Sequence, residues 1–119
     1  MTIEATVINW FNTQNLGVTA YGGVPADRPN RFVTVERTGG AVTTFRDFPN
    51  LAVQTWAQSA ADAAALADTI RHALPGLTSV EQIARVEIGS TYNWPDPLSG
   101  QPRYQTILTL TVKWNDSKE

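Results

Sequence analysis

The chain has 119 residues, of which 42% are hydrophobic and 17% are charged, and its formal net charge is −2. This length and composition predict one globular domain over residues 1–119 and exclude a disordered chain. The basic residues form no run that would neutralise phosphates, so a dedicated nucleic-acid-binding protein is not expected. The absence of Cys excludes a disulfide framework, an iron–sulfur cluster and a thiolate zinc site.

The first predicted element is a helix close to the N-terminus. Its apolar stripe recurs at helical spacing, at Ile3, Val7, Trp10 and Phe11. Thr2 is placed to cap the helix, and residues 15–17 are placed to stop it. Residues 18–24 are then predicted to be extended. Residues 25–30 are predicted to be a loop, because the prolines there disfavour helix.

The next predicted element is a β-hairpin that turns at two glycines. Residues 32–37 are typical of a strand. Thr38-Gly39-Gly40-Ala41 predicts the turn, because glycine tolerates the positive φ angles of tight hairpins. The returning strand is predicted to begin near Val42. We expect an interruption at residues 47–50, followed by a further strand over residues 51–56.

The second helix has clear start and stop signals. Ser59 followed by Asp62 resembles a capping box, and an acid is also favoured by the positive end of a helix. Pro75-Gly76 is predicted to end the helix. The predicted buried stripe consists of Ala63, Leu66, Ala67, Ile70 and Leu74.

Two strands with alternating apolar and polar residues complete the predicted fold. In the first, the residues expected to face the core are Ala84, Val86 and Ile88. In the last, they are Tyr104, Thr106, Leu108, Leu110, Val112 and Trp114. Such alternation indicates an antiparallel sheet that is covered on one side. The element order therefore predicts an α+β fold, a mainly antiparallel sheet with two helices packed on one face.

The sequence contains few side chains that suit catalysis. Its single His, His72, falls in the last turn of the second helix, where imidazole suits the negative helix end. Asp62 and Asp68 are six residues apart and do not share a helix face well, so paired-carboxylate chemistry is not expected. Neither pair of adjacent glycines precedes the helix start or Lys-Ser/Thr of a phosphate loop. We therefore expect no enzyme, and we assign no catalytic, cofactor-binding or metal-binding residue and no cofactor.

Residues 93–102 form a loop that is long for a connection between two strands. Hairpin loops usually need about two to five residues. Three prolines stiffen this loop and lower the entropy lost when it docks. Trp94 and Leu98 give it apolar anchors, while Asp96 and Arg103, with the neighbouring Tyr104, give it polar and aromatic ones. The loop either folds back over its own core or contacts another protein, and we favour the second interpretation.

Three segments of the chain resemble tail terminator proteins from siphophages of actinobacteria. Residues 31–40 are similar to the first hairpin of that family, and residues 53–57 to the strand that leads into an Ala-rich helix. Residues 93–97 and 99–105 are similar to its late loop and the start of its last strand. Together these segments span most of residues 31–112, while the N-terminal helix matches in kind only.

This resemblance implies a structural role in a virion, in the tail at the junction with the head, after assembly in the host cytoplasm. Such proteins are α+β subunits that form a hexameric ring on the head-proximal end of the tail tube. The ring stops tube polymerisation and joins the tube to the head connector. The implied partners are further copies of the chain, the major tail tube protein and the head–tail connector protein. DNA passes through the lumen without specific binding, and no membrane is involved.

The predicted subunit or partner interface consists of Trp94, Asp96, Leu98, Arg103, Tyr104, Arg37 and Arg46. One alternative is a head–tail connector or stopper protein from the same junction. Another, of a different class, is a small anion-binding α+β domain or enzyme that uses Arg37, Arg46 or Arg103 as a clamp. That alternative predicts a deep pocket within one subunit, where these guanidinium groups converge.

Overall fold

A computed structural model describes residues 1–113 of the chain. The described part contains two α-helices, one 3-10 helix and five strands. The helices are α1 (Ile3–Asn12), α2 (Ala60–Ala73) and the 3-10 helix (Leu74–Ser79). The strands are β1 (Ala20–Tyr21), β2 (Phe32–Val42), β3 (Arg46–Trp56), β4 (Ile83–Asn93) and β5 (Arg103–Lys113). Trp114, which the sequence predicts to continue the last strand, lies outside the described residues.

The five strands form one sheet in the order β1-β2-β3-β5-β4. All neighbouring pairs are antiparallel except β1 and β2, which are parallel. Buried residues of both helices share one apolar cluster with alternate residues of β2, β3 and β5, so both helices pack on the same face of the sheet. The predicted α+β fold is confirmed.

Both helices begin where their capping residues lie. The Ala5 backbone N–H donates to the Thr2 hydroxyl at 3.2 Å, and the Asp62 N–H donates to the Ser59 hydroxyl at 3.1 Å. Each bond satisfies a helix N–H that has no partner within the helix. The predicted core positions of α1 and α2 are buried or packed against the core, because their spacing places them on one helix face. The chain leaves α2 at Leu74 and continues as the 3-10 helix, which contains Pro75.

The hairpin of β2 and β3 turns later than the sequence predicts. β2 continues through both glycines to Val42, and the turn is closed where the Thr43 N–H donates to the Arg46 carbonyl at 2.8 Å. Gly40 lies opposite Pro49 with φ of 118°, and a Cβ there would overlap the Phe48 carbonyl oxygen. The glycines therefore serve a register shift and a close backbone approach within the ladder. The predicted turn at the glycines and the predicted interruption at residues 47–50 are wrong, because β3 is continuous.

The residues of β4 that face the core also differ from the prediction at the start of the strand. Ile83 is buried and Ala84 is exposed, because the register against β5 shifts between Ile83 and Arg85. The prediction that Ala84 faces the core is wrong. Val86 and Ile88 pack against the core as predicted. In β5, Leu108 and Leu110 are fully buried at the predicted positions, along with Thr106.

Candidate functional site

One end of the sheet face opposite the helices carries a second, aromatic core. Phe32 and Trp56 are paired across β2 and β3, and both side chains are buried. Their rings stack with centroids 5.1 Å apart, and Tyr21 packs edge-on against Phe32 at 6.2 Å. The parallel pairing of β1 with β2 places Tyr21 beside this cluster. The aromatic pairs stabilise this end of the sheet beyond their area of burial.

Two arginines approach the same tryptophan ring. The guanidinium carbon of Arg103 lies 4.8 Å from the centroid of Trp56, and that of Arg28 lies 5.5 Å from it. Arg103 is only 7% exposed, and its Nε donates to the Trp94 carbonyl at 2.9 Å. Burial lowers the pKa of Arg103 from its ordinary value, while the nearby Asp96 carboxylate opposes that change. A guanidinium nevertheless stays charged at neutral pH, so both contacts have cation–π character.

The proline loop, residues 93–102, is fastened at Asp96. This carboxylate accepts hydrogen bonds from the Ser99 hydroxyl at 2.6 Å and from the Ser99 and Leu98 backbone N–H groups at 3.2 and 3.4 Å. These bonds, the Ser99 hydroxyl above all, hold the pKa of Asp96 below its ordinary value of 3.8 despite its desolvation. Arg103 Nη1 lies 3.9 Å from the same carboxylate. The polar anchors of the loop therefore make contacts within the chain.

The loop is also tied to the segment before β2. Arg28 Nη1 donates to Gln101 Oε1 at 2.7 Å, and Gln101 Nε2 donates to the Ala57 carbonyl at 3.3 Å. The apolar anchors behave differently, since Leu98 is 96% exposed and Trp94 is 48% exposed. Trp94 retains one aromatic neighbour, Tyr92, with ring centroids 5.9 Å apart. The loop thus folds back on its own chain through polar groups and presents its apolar side chains outward.

A cavity of about 390 Å³ lies between the proline loop and the segment before β2. Its apolar rim includes Val24 and Leu98, and Trp56 lies in its wall. The full lining comprises Gly22, Gly23, Val24, Arg28, Thr34, Glu36, Gln54, Trp56, Asp96, Leu98 and Arg103. This volume is within the range of small-molecule sites and also admits the side chains of a docked protein segment.

A hydrogen-bonded network forms the polar side of the cavity. Trp56 Nε1 donates to the Thr34 hydroxyl at 2.9 Å, and that hydroxyl donates to Gln54 Oε1 at 2.8 Å. Gln54 Nε2 donates to Glu36 Oε1 at 3.2 Å and to Gln105 Oε1 at 2.7 Å. The buried amide of Gln54 is therefore satisfied on both of its atoms, which removes the cost of an unpaired polar group. Glu36 lies at the exposed margin of the network.

Arg37 and Arg46 lie away from this cavity, on the exposed part of the β2–β3 hairpin. Arg37 forms a bidentate ion pair with Asp47, at 2.9 and 3.1 Å, and this pair raises the pKa of Arg37. Arg46 Nη1 donates to the Phe45 carbonyl at 2.9 Å. Neither residue lines the cavity, so the three arginines of the predicted anion clamp do not converge. Of the other predicted interface residues, Tyr104 is half-buried in β5 opposite Thr55.

Several residues at the cavity and at the hairpin turn are not among those that the sequence predicts to be functional. The sequence predicts Arg28 only as part of a loop and Val24 only as part of an extended segment, but both line the cavity. Phe45, which is 72% exposed, lies in the observed turn at residues 43–46, five residues after the predicted turn at residues 38–41. Once the turn is located at residues 43–46, the aromatic residue within it, Phe45, indicates an exposed contact surface.

The described residues also bear on chemistry and membranes. Within residues 1–113, no group of three or more His, Cys, Asp or Glu side chains is arranged to hold a metal ion. His72 is exposed on α2, where its Nδ1 lies 2.8 Å from the Asp68 carbonyl oxygen and 3.7 Å from an Asp68 carboxylate oxygen. None of the helices in this part of the chain has the length and apolar character needed to cross a bilayer.

No model of a known protein family matches this chain, and no curated protein matches it. The function is therefore inferred from the residues of the chain and from their geometry.

Proposed function

We propose that this chain is a virion structural protein of the tail-terminator type, which closes into a ring at the head-proximal end of a phage tail tube and joins it to the head connector. The observation that carries the proposal is the open edge of β2. β1 pairs with β2 only at Val33 and Thr34. In the described chain, the outer backbone groups of residues 35–42 therefore have no strand partner. An unpaired strand edge is a template for strand addition from another chain.

The opposite edge of the sheet supports repeated association. β4 ends the strand order on that side, and it pairs with β5 alone. A sheet with two different open edges can make a heterologous contact, in which one edge of each copy meets the other edge of the next. Such a contact closes into a ring when its rotation divides a full turn. The number six in the proposed ring comes from the family resemblance.

Exposed apolar side chains add further contact surface. Trp94 and Leu98 lie on the proline loop, and Val42 and Phe45 lie at the turn of the β2–β3 hairpin. The proline loop is held by hydrogen bonds to Asp96, so little conformational entropy remains to be lost when it docks. Interfaces concentrate their binding energy in such ordered aromatic and apolar anchors.

Passage of DNA without specific binding is part of the proposal. Three arginines of the described chain are neutralised by carboxylates, in the pairs Arg37–Asp47, Arg85–Glu87 and Arg103–Asp96. Affinity for DNA grows with each phosphate that a free cation neutralises. These three arginines of each subunit are therefore less available to DNA.

The test is assembly measured in solution and on tail tubes. Native mass spectrometry across a concentration series, with electron microscopy of tail tubes mixed with the protein, should show a closed ring or binding at one tube end. A charge placed on the open edge by Ala41→Lys should weaken assembly, since edge charges block strand addition. The matched control is Ala65→Lys on the exposed face of α2.

Two outcomes would count against a tail terminator. A protein that stays monomeric at every concentration and ignores tube ends contradicts it. A protein that binds purified head connectors and leaves tube ends free is instead a connector or stopper.

A further inference from the structure

Surfaces of matching chemistry lie near two separate positions along β2. Thr34 lines the cavity, and Val42 lies eight residues further along the same strand. At about 3.3 Å per residue, the two positions are roughly 26 Å apart. The turn of the hairpin and the cavity therefore cannot meet within one copy.

The hairpin tip, residues 42–46, presents an ordered apolar and basic surface. Phe45 is 72% exposed and Val42 is 58% exposed. The turn is fixed by two hydrogen bonds, from the Thr43 N–H to the Arg46 carbonyl and from the Arg46 N–H to the Thr43 hydroxyl. Arg46 is exposed, and among the described residues its side chain donates only to the Phe45 carbonyl, so its charge is available to a carboxylate. The ordered backbone of the turn thus places an aromatic side chain next to a cationic one.

The cavity offers complementary groups to such a tip. Val24 and Leu98 form its apolar rim. The side chain of Val24 is 42% exposed and that of Leu98 is 96% exposed. The Arg28 guanidinium is exposed at the mouth, where the face of an incoming ring would gain a cation–π contact. Within residues 1–113, Glu36 accepts one side-chain hydrogen bond, from Gln54 to Oε1, so its second oxygen is available to a cation. The other cation of the lining, Arg103, is already paired with Asp96.

We propose that the hairpin tip of one copy docks into the cavity of the next, with Phe45 between Val24 and Leu98 and Arg46 at Glu36. The contact joins different surfaces of identical chains, so it is heterologous and propagates in one direction. Both surfaces are ordered by their own hydrogen bonds, which limits the entropy lost on docking. The proposal rests on the proposed function, because it adds a second heterologous contact to the ring, beside the pairing of sheet edges.

Cysteine cross-linking tests the contact directly, since the chain contains no Cys. In the double variant Thr44→Cys with Gly23→Cys, which keeps Phe45 and both apolar rim residues, mild oxidation should join each copy to the next. A non-reducing gel should then show a ladder that ends at the subunit number of the ring. Thr44 is exposed and a Cβ at Gly23 meets no atom within 4 Å, so the fold should be preserved, and circular dichroism checks this. The control pair, Thr44→Cys with Ala65→Cys on α2, should give no ladder.

A substitution provides the second measurement. Phe45→Ser should weaken self-association by about tenfold or more, the loss expected for a central aromatic anchor. The control Ala65→Ser should leave self-association unchanged. A ring that forms without the Thr44–Gly23 cross-link and tolerates Phe45→Ser overturns this contact but leaves the proposed function standing. A chain that neither self-associates nor binds tube ends overturns both.

Discussion

The two ends of the sheet use their side chains in opposite ways. At the cavity end, Trp56 and Arg103 are buried and the polar atoms of the network are paired. At the hairpin tip, Val42 and Phe45 are exposed and no element packs over them in the described chain. Satisfied polar groups allow the first end to be stabilised from within the chain. Apolar surface at the second end gains free energy only by contact with another molecule.

The largest expected effect distinguishes a buried tryptophan, Trp56, from an exposed one, Trp94. Trp56→Ala removes the stack on Phe32, two cation–π contacts and the hydrogen bond to Thr34. We expect the free energy of unfolding to fall by about 3–5 kcal/mol, as for other buried aromatic residues. Urea denaturation of the monomer measures this loss.

Trp94→Ala is the matched control, because Trp94 is 48% exposed and has a ring contact with Tyr92 alone. Its expected cost is about 1 kcal/mol or less. Equal losses for the two variants would show that the cavity end is not stabilised by the Trp56 cluster.

The next effect concerns the backbone of the hairpin. Gly40→Ala should cost about 1–3 kcal/mol, because φ there is 118° and a Cβ would overlap the Phe48 carbonyl oxygen. Gly23→Ala, where a Cβ meets no atom within 4 Å, should change the free energy of unfolding by about 0.5 kcal/mol or less. If Gly40→Ala were as well tolerated as Gly23→Ala, Gly40 would not have positive φ close to the Phe48 carbonyl, and the register shift would not depend on glycine.

Local signals account for the parts of the fold that the sequence predicts. Thr2 and Ser59 cap their helices through bonds to residues three positions later. The alternation in β5 predicts the burial of Leu108 and Leu110, because strand geometry fixes which face each residue takes. Such patterns are readable because every interacting residue lies close along the chain.

The parts that sequence analysis missed depend on choices that local pattern leaves open. Positive φ at adjacent glycines suits a turn and a register shift equally, so Gly39 and Gly40 predict either. The cavity depends on contact between segments far apart in sequence, such as the bond from Arg28 to Gln101. Asp96 was identified as a polar anchor, but the direction in which it points is set by Ser99, three residues later.

The smallest expected effect is the pH dependence of the proline loop. The folded-state pKa of Asp96 is lower than its ordinary value of 3.8, chiefly because of the Ser99 hydroxyl bond. The carboxylate therefore contributes stability that is present above pH 3.8 and is lost as the pH falls through the lower, folded-state pKa. Asp96→Asn should be less stable than the original chain at pH 7, and the difference should shrink as the pH falls below 3.8.

Ser99→Ala sharpens this test, because it keeps the Asp96 carboxylate and removes its shortest hydrogen bond. An NMR titration should show the pKa of Asp96 rising toward its ordinary value in this variant. Denaturation curves over the acid range measure the stability difference for both variants. A difference between Asp96→Asn and the original chain that stayed constant far below pH 3.8 would mean that the charge of Asp96 does not hold the loop. In that case the ordered rim at Leu98, on which docking of the hairpin tip depends, would have to be maintained by Arg28 and Gln101 instead.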